Sequence, residues 1–268
     1  MGRVFFYTFA NKFLIVITSA QIKFVKSLSQ KKFRKELGLF VVEGDKMVKE
    51  LLSHPHWHTE MLFALDGWLQ SNPARGSHQT FAVSEKELAR ISNLQTPNQA
   101  LAVVRQRSRE ADTKLLKGNF CLLLDQIQDP GNLGTIIRTA DWFGIRHIFC
   151  SEDTAELYNP KVIQATMGSF ARVDCLYVNL QNMLKALPHP YPVMAALLEG
   201  ENIYSTRLPS EGVLMIGNEA RGISPTLLPF VTHKLHIPMS RPEGKTQFPE
   251  SLNASVASAI LLSHLKKK

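Results

Sequence analysis

The chain has 268 residues, 44% of them hydrophobic and 20% charged, which is ordinary usage for a globular protein with one large domain or two smaller ones. No uninterrupted apolar run approaches the roughly 18 residues that span a bilayer, so we expect no membrane-embedded segment. Three widely separated cysteines without a CxxC pair indicate neither a disulfide framework nor a zinc knuckle, and they favour a reducing, cytoplasmic setting.

The net charge of +8 lies in the front part of the chain. Residues 1–118 carry 18 basic and 10 acidic residues, whereas residues 119–268 carry 13 of each. Eight basic residues and no acid precede Glu36, and Phe24 and Phe33 stand among them. This pattern fits either a phosphate-binding footprint or a solvated helix face. The footprint would comprise Lys23, Lys26, Lys31, Lys32, Arg34 and Lys35.

The first 18 residues are expected to form an extension ahead of the first domain. Their apolar run FLIVI is shorter than the roughly 7 to 15 residues of a signal-peptide core, so we identify no export signal. Residues 19–106 mix strand and helix patterns and predict a small α/β domain. Its predicted elements are a basic helical stretch 21–37, strands 39–44, 61–65, 80–84 and 100–106, and helices 45–52 and 85–91.

Residues 107–118 are charged and are interpreted as a linker, after which short apolar strands alternate with helices. The predicted strands cover 120–125, 147–151, 192–198, 212–218 and 234–239. Strands without polar alternation are buried on both faces, so residues 119–268 predict an α/β domain with a mostly parallel sheet. Ligands bind at the carboxyl ends of such strands, which directs attention to the loops after Asp125, Ile216 and Ile237.

Several common enzyme signatures are absent. The sequence has no GxGxxG or GxxxxGK[ST] motif, no GxSxG elbow and no HExxH pair, which disfavours ordinary dehydrogenases, P-loop NTPases, serine hydrolases and zinc proteases. The cluster HPHWH at 54–58 lacks a fourth ligand at a familiar spacing, and we predict no metal site.

The first of the three loops leads into a helix that is predicted to open near Asn132 and to stop at Gly144. Arg138 lies off the apolar stripe of this helix, and the open helix N-terminus near Asn132 can receive a phosphate. The alternative is that Asn132 is only an N-cap and Arg138 only a surface cation.

The second loop places Glu219 two residues after Gly217, just inside the start of a predicted helix, where the helix dipole alone could explain a carboxylate. The third loop places Ser251 and Asn253 at the mouth of the last helix, and Ser251 could be its N-cap. We expect Leu252, Val256, Ile260 and Leu261 along one face of that helix, and close packing of its small residues.

Three stretches, NLGTIIRTA, IGNEARGIS and IPM with ESLNASVA, follow successive strands in that order. They resemble the three motifs of the SpoU-type (TrmH-like) RNA ribose 2'-O-methyltransferases of the SPOUT superfamily. NPKVIQATMGS at 159–169 is similar to the segment that these enzymes carry between the first two motifs. The front part, with FVVEG at 40–44, more loosely resembles the ribosomal-protein-like RNA-binding domain often fused ahead of the catalytic domain.

The resemblance implies a deep trefoil knot in residues 119–268, bound S-adenosylmethionine (SAM), an RNA substrate and a homodimer. It assigns the active site to Asn132, Arg138, Glu219, Ser251 and Asn253. It assigns the lining of the SAM pocket to Gly217, Ile237, Met239 and Leu252. The loop at 240–249 is longer than in compact members, which leaves the placement of Ser251 open.

Because a guanidinium stays protonated in almost any protein setting, we expect Arg138 to bind the target phosphate or the emerging 2'-oxygen rather than to act as the base. Asn132 and Ser251 would orient it and Glu219 would hold the arrangement together. The front domain would deliver RNA, ribosomal rather than transfer RNA by analogy. The alternatives are a transfer RNA methyltransferase and a non-catalytic RNA-binding or ribosome-assembly factor.

Overall fold

The structure is a computed structural model that describes residues 17–73, 78–108, 113–116, 118–188, 190–240 and 250–266. The chain divides into two compact units, with the boundary in sequence between Arg105 and Gln106. Within the described ranges, no helix is both long enough and apolar enough to cross a membrane.

The described part of the front unit contains a four-stranded sheet and five helices. Its strands are ordered β1-β4-β2-β3, with β4 antiparallel to both of its neighbours and β2 parallel to β3. The strands are β1 Leu39–Glu43, β2 Thr59–Ala64, β3 Gln79–Ala82 and β4 Ala100–Arg105. The helices are α1 Ser19–Ser27, α2 Lys31–Leu37, α3 Asp45–Ser53, α4 Asp66–Ser71 and α5 Glu85–Ile91.

The predicted basic helix 21–37 is in fact two helices, α1 and α2, and Arg34 explains the break. Its side chain is 2% exposed, and Nη1 donates hydrogen bonds to the carbonyls of Leu28 (3.0 Å) and Ser29 (2.8 Å) between the helices. The expectation that Arg34 contacts RNA phosphate was therefore wrong, because this guanidinium satisfies the orphan carbonyls at the end of α1.

The expected boundaries of the front domain and of the linker also shift. Ile17, assigned to the extension, is 2% exposed in the core of the front unit, and its N–H donates to Glu87 (3.2 Å). Thr18 caps α1 through its side chain. In the expected linker, Thr113–Leu116 form a 3-10 turn, and Leu116 is buried in the core of the second unit. Apolar side chains thus extend both packed units beyond the sequence-based limits.

The second unit is built on a fully parallel six-stranded sheet, ordered β10-β8-β9-β5-β6-β7. The strands are β5 Phe120–Leu124, β6 His147–Cys150, β7 Asp174–Tyr177, β8 Val193–Asn202, β9 Gly212–Ile216 and β10 His233–His236. The helices are α6 Pro130–Trp142, α7 Pro160–Thr166, α8 Leu180–Lys185 and α9 Ala254–Leu265. The predicted mostly parallel sheet is confirmed, and the central strands β5 and β9 are buried throughout.

Two strands differ from expectation. The sequence analysis missed β7, because Asp174 and Tyr177 interrupt an apolar pattern of only four residues at the sheet edge. Strand β8 is longer than predicted, and its last residues are exposed. There the backbone of Lys234 in β10 approaches Gly200 so closely that a Cβ at Gly200 would lie 2.5 Å from the Lys234 carbonyl oxygen.

Candidate active site

The side chain of Asn132, in the first turn of α6, does not cap this helix. Asp129, not Asn132, is the N-cap of α6, and its Oδ1 accepts a hydrogen bond from the Asn132 backbone N–H (2.8 Å). Pro130 occupies the first helical position, where its fixed φ and missing N–H suit a helix start. The helix therefore begins two residues earlier than predicted, and the capping account of Asn132 was wrong.

The second loop is a tight turn and not the start of a helix. Asn218 pairs with Gly222 across it, and Asn218 Oδ1 accepts from the backbone N–H groups of Ala220 (3.0 Å) and Arg221 (3.1 Å). A Cβ at Gly217 would lie 2.4 Å from the Gly222 carbonyl carbon, so this close approach requires glycine. Because no helix follows Glu219 in the turn, the helix-dipole explanation for its carboxylate was wrong.

The third loop ends at Asn253, which is the N-cap of α9. Asn253 Oδ1 accepts from the backbone N–H groups of Ser255 (3.0 Å) and Val256 (3.4 Å) and from the Ser255 hydroxyl (2.6 Å). Ser251 is exposed two residues before this cap, so its predicted capping role was wrong.

The buried face of α9 also differs from the expected one. The buried residues are mostly small or at the far end of the helix, namely Ala254, Ser255, Ser258, Leu261 and Leu262. By contrast, Leu252 and Val256 are each 47% exposed. The expected close packing of the small residues is confirmed for Ala254, Ser255 and Ser258, and the apolar residues near the helix start face outward.

The three loops meet in one hydrogen-bonded chain of side chains. Asn132 Nδ2 donates to Glu219 Oε1 (2.5 Å), and Asn253 Nδ2 donates to Asn132 Oδ1 (2.9 Å). Asn253 Oδ1 in turn accepts from the first N–H groups of α9, as above. These bonds orient the two amides and the carboxylate relative to one another, although the residues lie 87 and 121 positions apart in sequence.

Two further residues, missed by the sequence analysis, hold these loops. Asn218 Nδ2 donates to the Gln126 carbonyl (2.9 Å), and the buried Asp125 accepts from the Ser224 backbone N–H (2.6 Å). Each bond joins the loop after β5 to the loop after β9. The available signal for both was a polar residue within two positions of the end of an apolar strand.

Among the described residues, the chain of hydrogen bonds that joins the motifs comprises Asn132, Glu219 and Asn253; Arg138 and Ser251 are exposed and lie outside it. Arg138 is six residues beyond Asn132 on α6, about 9 Å along the helix axis and about 120° around it. Its guanidinium is therefore presented to solvent on a face of α6 next to the one that carries the hydrogen-bonded chain.

Helix α7 packs directly against α6. A Cβ at Gly134 would lie 2.5 Å from Ala165 Cβ and 2.7 Å from the Val162 carbonyl, so the two helices approach as closely as a glycine allows. Asn159 caps α7 by accepting from the Lys161 N–H (2.9 Å). The segment between the first two motifs thus supports the helix that carries Asn132 and Arg138.

The residues expected to line the SAM pocket follow strands β9 and β10 and precede α9. Gly217 and Ile237 are half-buried, whereas Met239 is 41% and Leu252 47% exposed. Large exposed apolar side chains at the carboxyl edge of a parallel sheet suit the adenine ring and the aliphatic methionyl chain of SAM. These residues fit the cofactor; residues 241–249, the loop between them, lie outside the described residues.

Cysteine chemistry is not available at this site. Burial raises the pKa of the Cys121 thiol to about 12, and Cys121 and Cys150 are both buried within the sheet. Among the described residues, which include the histidines of HPHWH, no group of three metal-ligating side chains occurs.

In the front unit, four of the six predicted RNA contacts are exposed lysines, Lys23, Lys31, Lys32 and Lys35. Lys26 is half-buried and donates through Nζ to the Ser92 carbonyl (2.5 Å), so this ammonium also holds α1 to the segment after α5.

The two units match two known domain families. Residues 119–263 match the SpoU rRNA Methylase family, and residues 19–102 match the MRM3-like substrate binding domain. The chain is 31% identical to the 23S rRNA guanosine 2'-O-methyltransferase RlmP of Bacillus subtilis, over 92% of this chain and 96% of that protein.

Solved structures of RNA methyltransferases have the same fold as this chain. The putative TrmH-family RNA methyltransferase of Porphyromonas gingivalis is 36% identical with a TM-score of 0.83, covering 93% of this chain and 98% of that one. The AdoMet-bound rRNA methyltransferase of Sinorhizobium meliloti is 28% identical with a TM-score of 0.78, covering 92% and 94%. The family predicted from the three motifs is confirmed: the chain belongs to the SpoU rRNA methylase family.

Proposed function

We propose that the protein transfers the methyl group of SAM to a ribose 2'-hydroxyl of ribosomal RNA. The observation that carries this proposal is the chain of hydrogen bonds from Glu219 through Asn132 to Asn253, which joins all three motif loops at the carboxyl edge of the sheet. The relatives named above as rRNA methyltransferases support the substrate class.

Methyl transfer requires alignment of the 2'-oxygen with the methyl group, removal of the hydroxyl proton and stabilisation of the developing alkoxide. The linked amides of Asn132 and Asn253 and the carboxylate of Glu219 supply alignment. Because their polar atoms are engaged with one another, they act as a rigid frame and do not have to reorganise during the reaction. When bound, SAM supplies an electrophilic methyl group on a sulfonium.

Arg138 is assigned to the RNA. Its exposed guanidinium can form a bidentate pair with a phosphate, or stabilise negative charge on the 2'-oxygen, without giving up a proton. Ser251, exposed ahead of α9, is assigned to orient the same group. Gly217, Ile237, Met239 and Leu252 are assigned to hold SAM.

The front unit, residues 19–106 in the expected division, is assigned to RNA binding. The exposed Lys23, Lys31, Lys32 and Lys35 support this assignment. Arg34 is excluded because it is buried.

We also assign a trefoil knot, a homodimer and a cytoplasmic location. Contact between α9 and α6, which lie far apart in the chain, supports a knotted C-terminal segment. The exposed Val256 supports a partner subunit against α9. Sedimentation tests the dimer: Val256→Glu should yield monomers, and an unchanged oligomeric state would contradict this assignment.

The proposed activity is tested by transfer of a labelled methyl group from SAM to ribosomal RNA that lacks its native modifications, with DNA of the same sequence as the non-reacting control. Arg138→Lys keeps the charge but loses the planar fork, so transfer should fall at least about 100-fold while SAM affinity stays unchanged. Arg207→Lys, at an exposed arginine outside the motifs, should stay within about twofold of the original protein. Near-full activity of Arg138→Lys would contradict the assigned role of Arg138.

A further inference from the structure

An aromatic side chain stands exposed at the end of the helix that carries Arg138. Trp142, the last residue of α6, is 85% exposed, the highest value among the exposed large hydrophobic residues of the described chain. The opposite side of α6 is buried, at Leu133, Ile136, Ile137 and Ala140. Trp142 therefore contributes little to the core, and its ring is available to a ligand.

Trp142 shares the outward face of α6 with Arg138. The two residues are four positions apart, so their Cβ atoms lie about 5–6 Å from each other. Trp142 is ten residues beyond Asn132, about 15 Å along the helix. An RNA strand that is bound by Arg138 near the carboxyl edge of the sheet can therefore contact this ring with a base that lies a few nucleotides from the methylated one.

Two exposed arginines, Arg138 and Arg146, each lie four residues from Trp142 in the chain. The neighbouring Asp141 carboxylate accepts hydrogen bonds from Arg172 (Nη2 2.7 Å and Nε 2.9 Å) and from the Ser169 hydroxyl (2.8 Å). Just after the helix, the exposed Arg146 lines a polar cavity of about 120 Å³.

The cavity is lined by further groups that suit an anion. Gly144, His147 and Lys266 border it, and Lys266 lies over the Phe120 ring, with Nζ 5.2 Å from the ring centroid. Two carboxylates are nearby: Asp174 lies 3.7 Å from His147 Nδ1, and Glu211 accepts from the Gly118 N–H (2.5 Å). Arg146 and Lys266 are thus the groups that would bind a phosphate.

We propose that Trp142 stacks on an unpaired base of the RNA substrate, and that the adjoining phosphate enters the cavity beside Arg146 and Lys266. This inference rests on the proposed function. An aromatic ring among cations is the usual platform for single-stranded nucleic acid. A second copy of the chain fits less well, because a stable interface buries about 800 Å² per partner with an apolar centre, whereas Thr135 and Arg138, the exposed residues on the same face of α6, are polar.

Steady-state methylation tests the platform. Trp142→Ala should raise the KM for RNA about 5- to 150-fold, the usual range for loss of one stacked base, with unchanged SAM affinity. Trp142→Phe should restore most of the loss. Tyr204→Ala, at a residue 61% exposed in the same unit, is the matched control and should stay within twofold. An unchanged KM for Trp142→Ala, or its dissociation to monomers in sedimentation, would overturn the proposal.

Two binding measurements separate this inference from the proposed activity, because neither requires turnover. A single-stranded RNA oligonucleotide should quench the fluorescence of the original protein more than that of Trp142→Phe. Arg146→Ala should flatten the slope of log K against log salt by about 0.7, the value for one phosphate contact on single strands. Equal quenching in both proteins would refute stacking, and an unchanged slope would refute the phosphate site. Absence of methyl transfer by the original protein, with quenching intact, would count against the proposed function alone.

Discussion

Replacement of Asn132 by aspartate tests the central hydrogen-bonded chain. The substitution keeps the size of the side chain and retains an acceptor for Asn253 Nδ2, 2.9 Å away in the original protein. It replaces the amide that donates to Glu219 by a carboxylate, so that two carboxylates meet where the structure has a 2.5 Å hydrogen bond.

The expected loss of stability follows from this charge repulsion. Two carboxylates in contact repel each other when both are ionised, and we expect this repulsion to cost on the order of 3 kcal/mol at pH 7. For a unit of this size the loss lowers the Tm by about 6–12 °C. Because the repulsion raises the folded-state pKa of one carboxyl above its unfolded value, the deficit is absent below about pH 4 and grows as the pH rises through the folded-state pKa.

Thermal unfolding of Asn132→Asp at pH 7 and pH 5 measures this deficit, with methyl transfer as a second readout that should fall about 100-fold. Asn179→Asp is the matched control, since Asn179 caps α8 by accepting from the Asn182 N–H (2.9 Å) and aspartate caps a helix equally well. A Tm of Asn132→Asp equal to that of the control, or a deficit that does not change with pH, would refute the reasoning.

Three further predictions concern packing and burial. Gly134→Ala should lower the free energy of unfolding by about 1–3 kcal/mol, because the added Cβ would overlap α7. Gly67→Ala is the control: its Cβ would have no atom within 4 Å, and the change should stabilise the helix by about 0.5–1 kcal/mol. Denaturant unfolding measures both variants, and equal effects would contradict close packing of α6 against α7. Arg34→Ala should destabilise the front unit by about 3 kcal/mol, and Lys35→Ala should change its stability by less than about 0.5 kcal/mol. Urea unfolding of the two variants compares them, and a stable Arg34→Ala would show that its two hydrogen bonds contribute little. Cys121, with a pKa raised to about 12, should resist iodoacetamide at pH 8 in the folded protein, and alkylation as fast as in urea would contradict its burial.

The parallel sheet could be predicted because its pattern is local. Uninterrupted apolar strands such as Phe120–Leu124 and Gly212–Ile216 indicate burial on both faces, and the structure has them as neighbours in the sheet. Strand Asp174–Tyr177 was missed, because a short edge strand with polar residues carries little periodicity.

The site could be predicted only in part from the sequence. The motif order identified Asn132, Glu219 and Asn253, but which amide donates to which oxygen depends on contacts between residues 87 and 121 positions apart. The burial of Arg34 could not be predicted either, because a run of basic residues does not show which side chain points inward. In the structure it is Arg34, whose guanidinium donates to a backbone carbonyl at the end of the preceding helix. Asp129 and Asn132 are both suitable caps by residue type, and only the backbone geometry distinguishes them.

The most direct test of the proposed activity is the position of the transferred methyl group. Ribosomal RNA methylated with labelled SAM is hydrolysed in alkali, which requires a free 2'-hydroxyl at each cleaved linkage. Label in alkali-resistant dinucleotides, absent with Asn132→Asp, is the predicted result. Label in single nucleotides would place the methyl group on a base and would contradict ribose methylation.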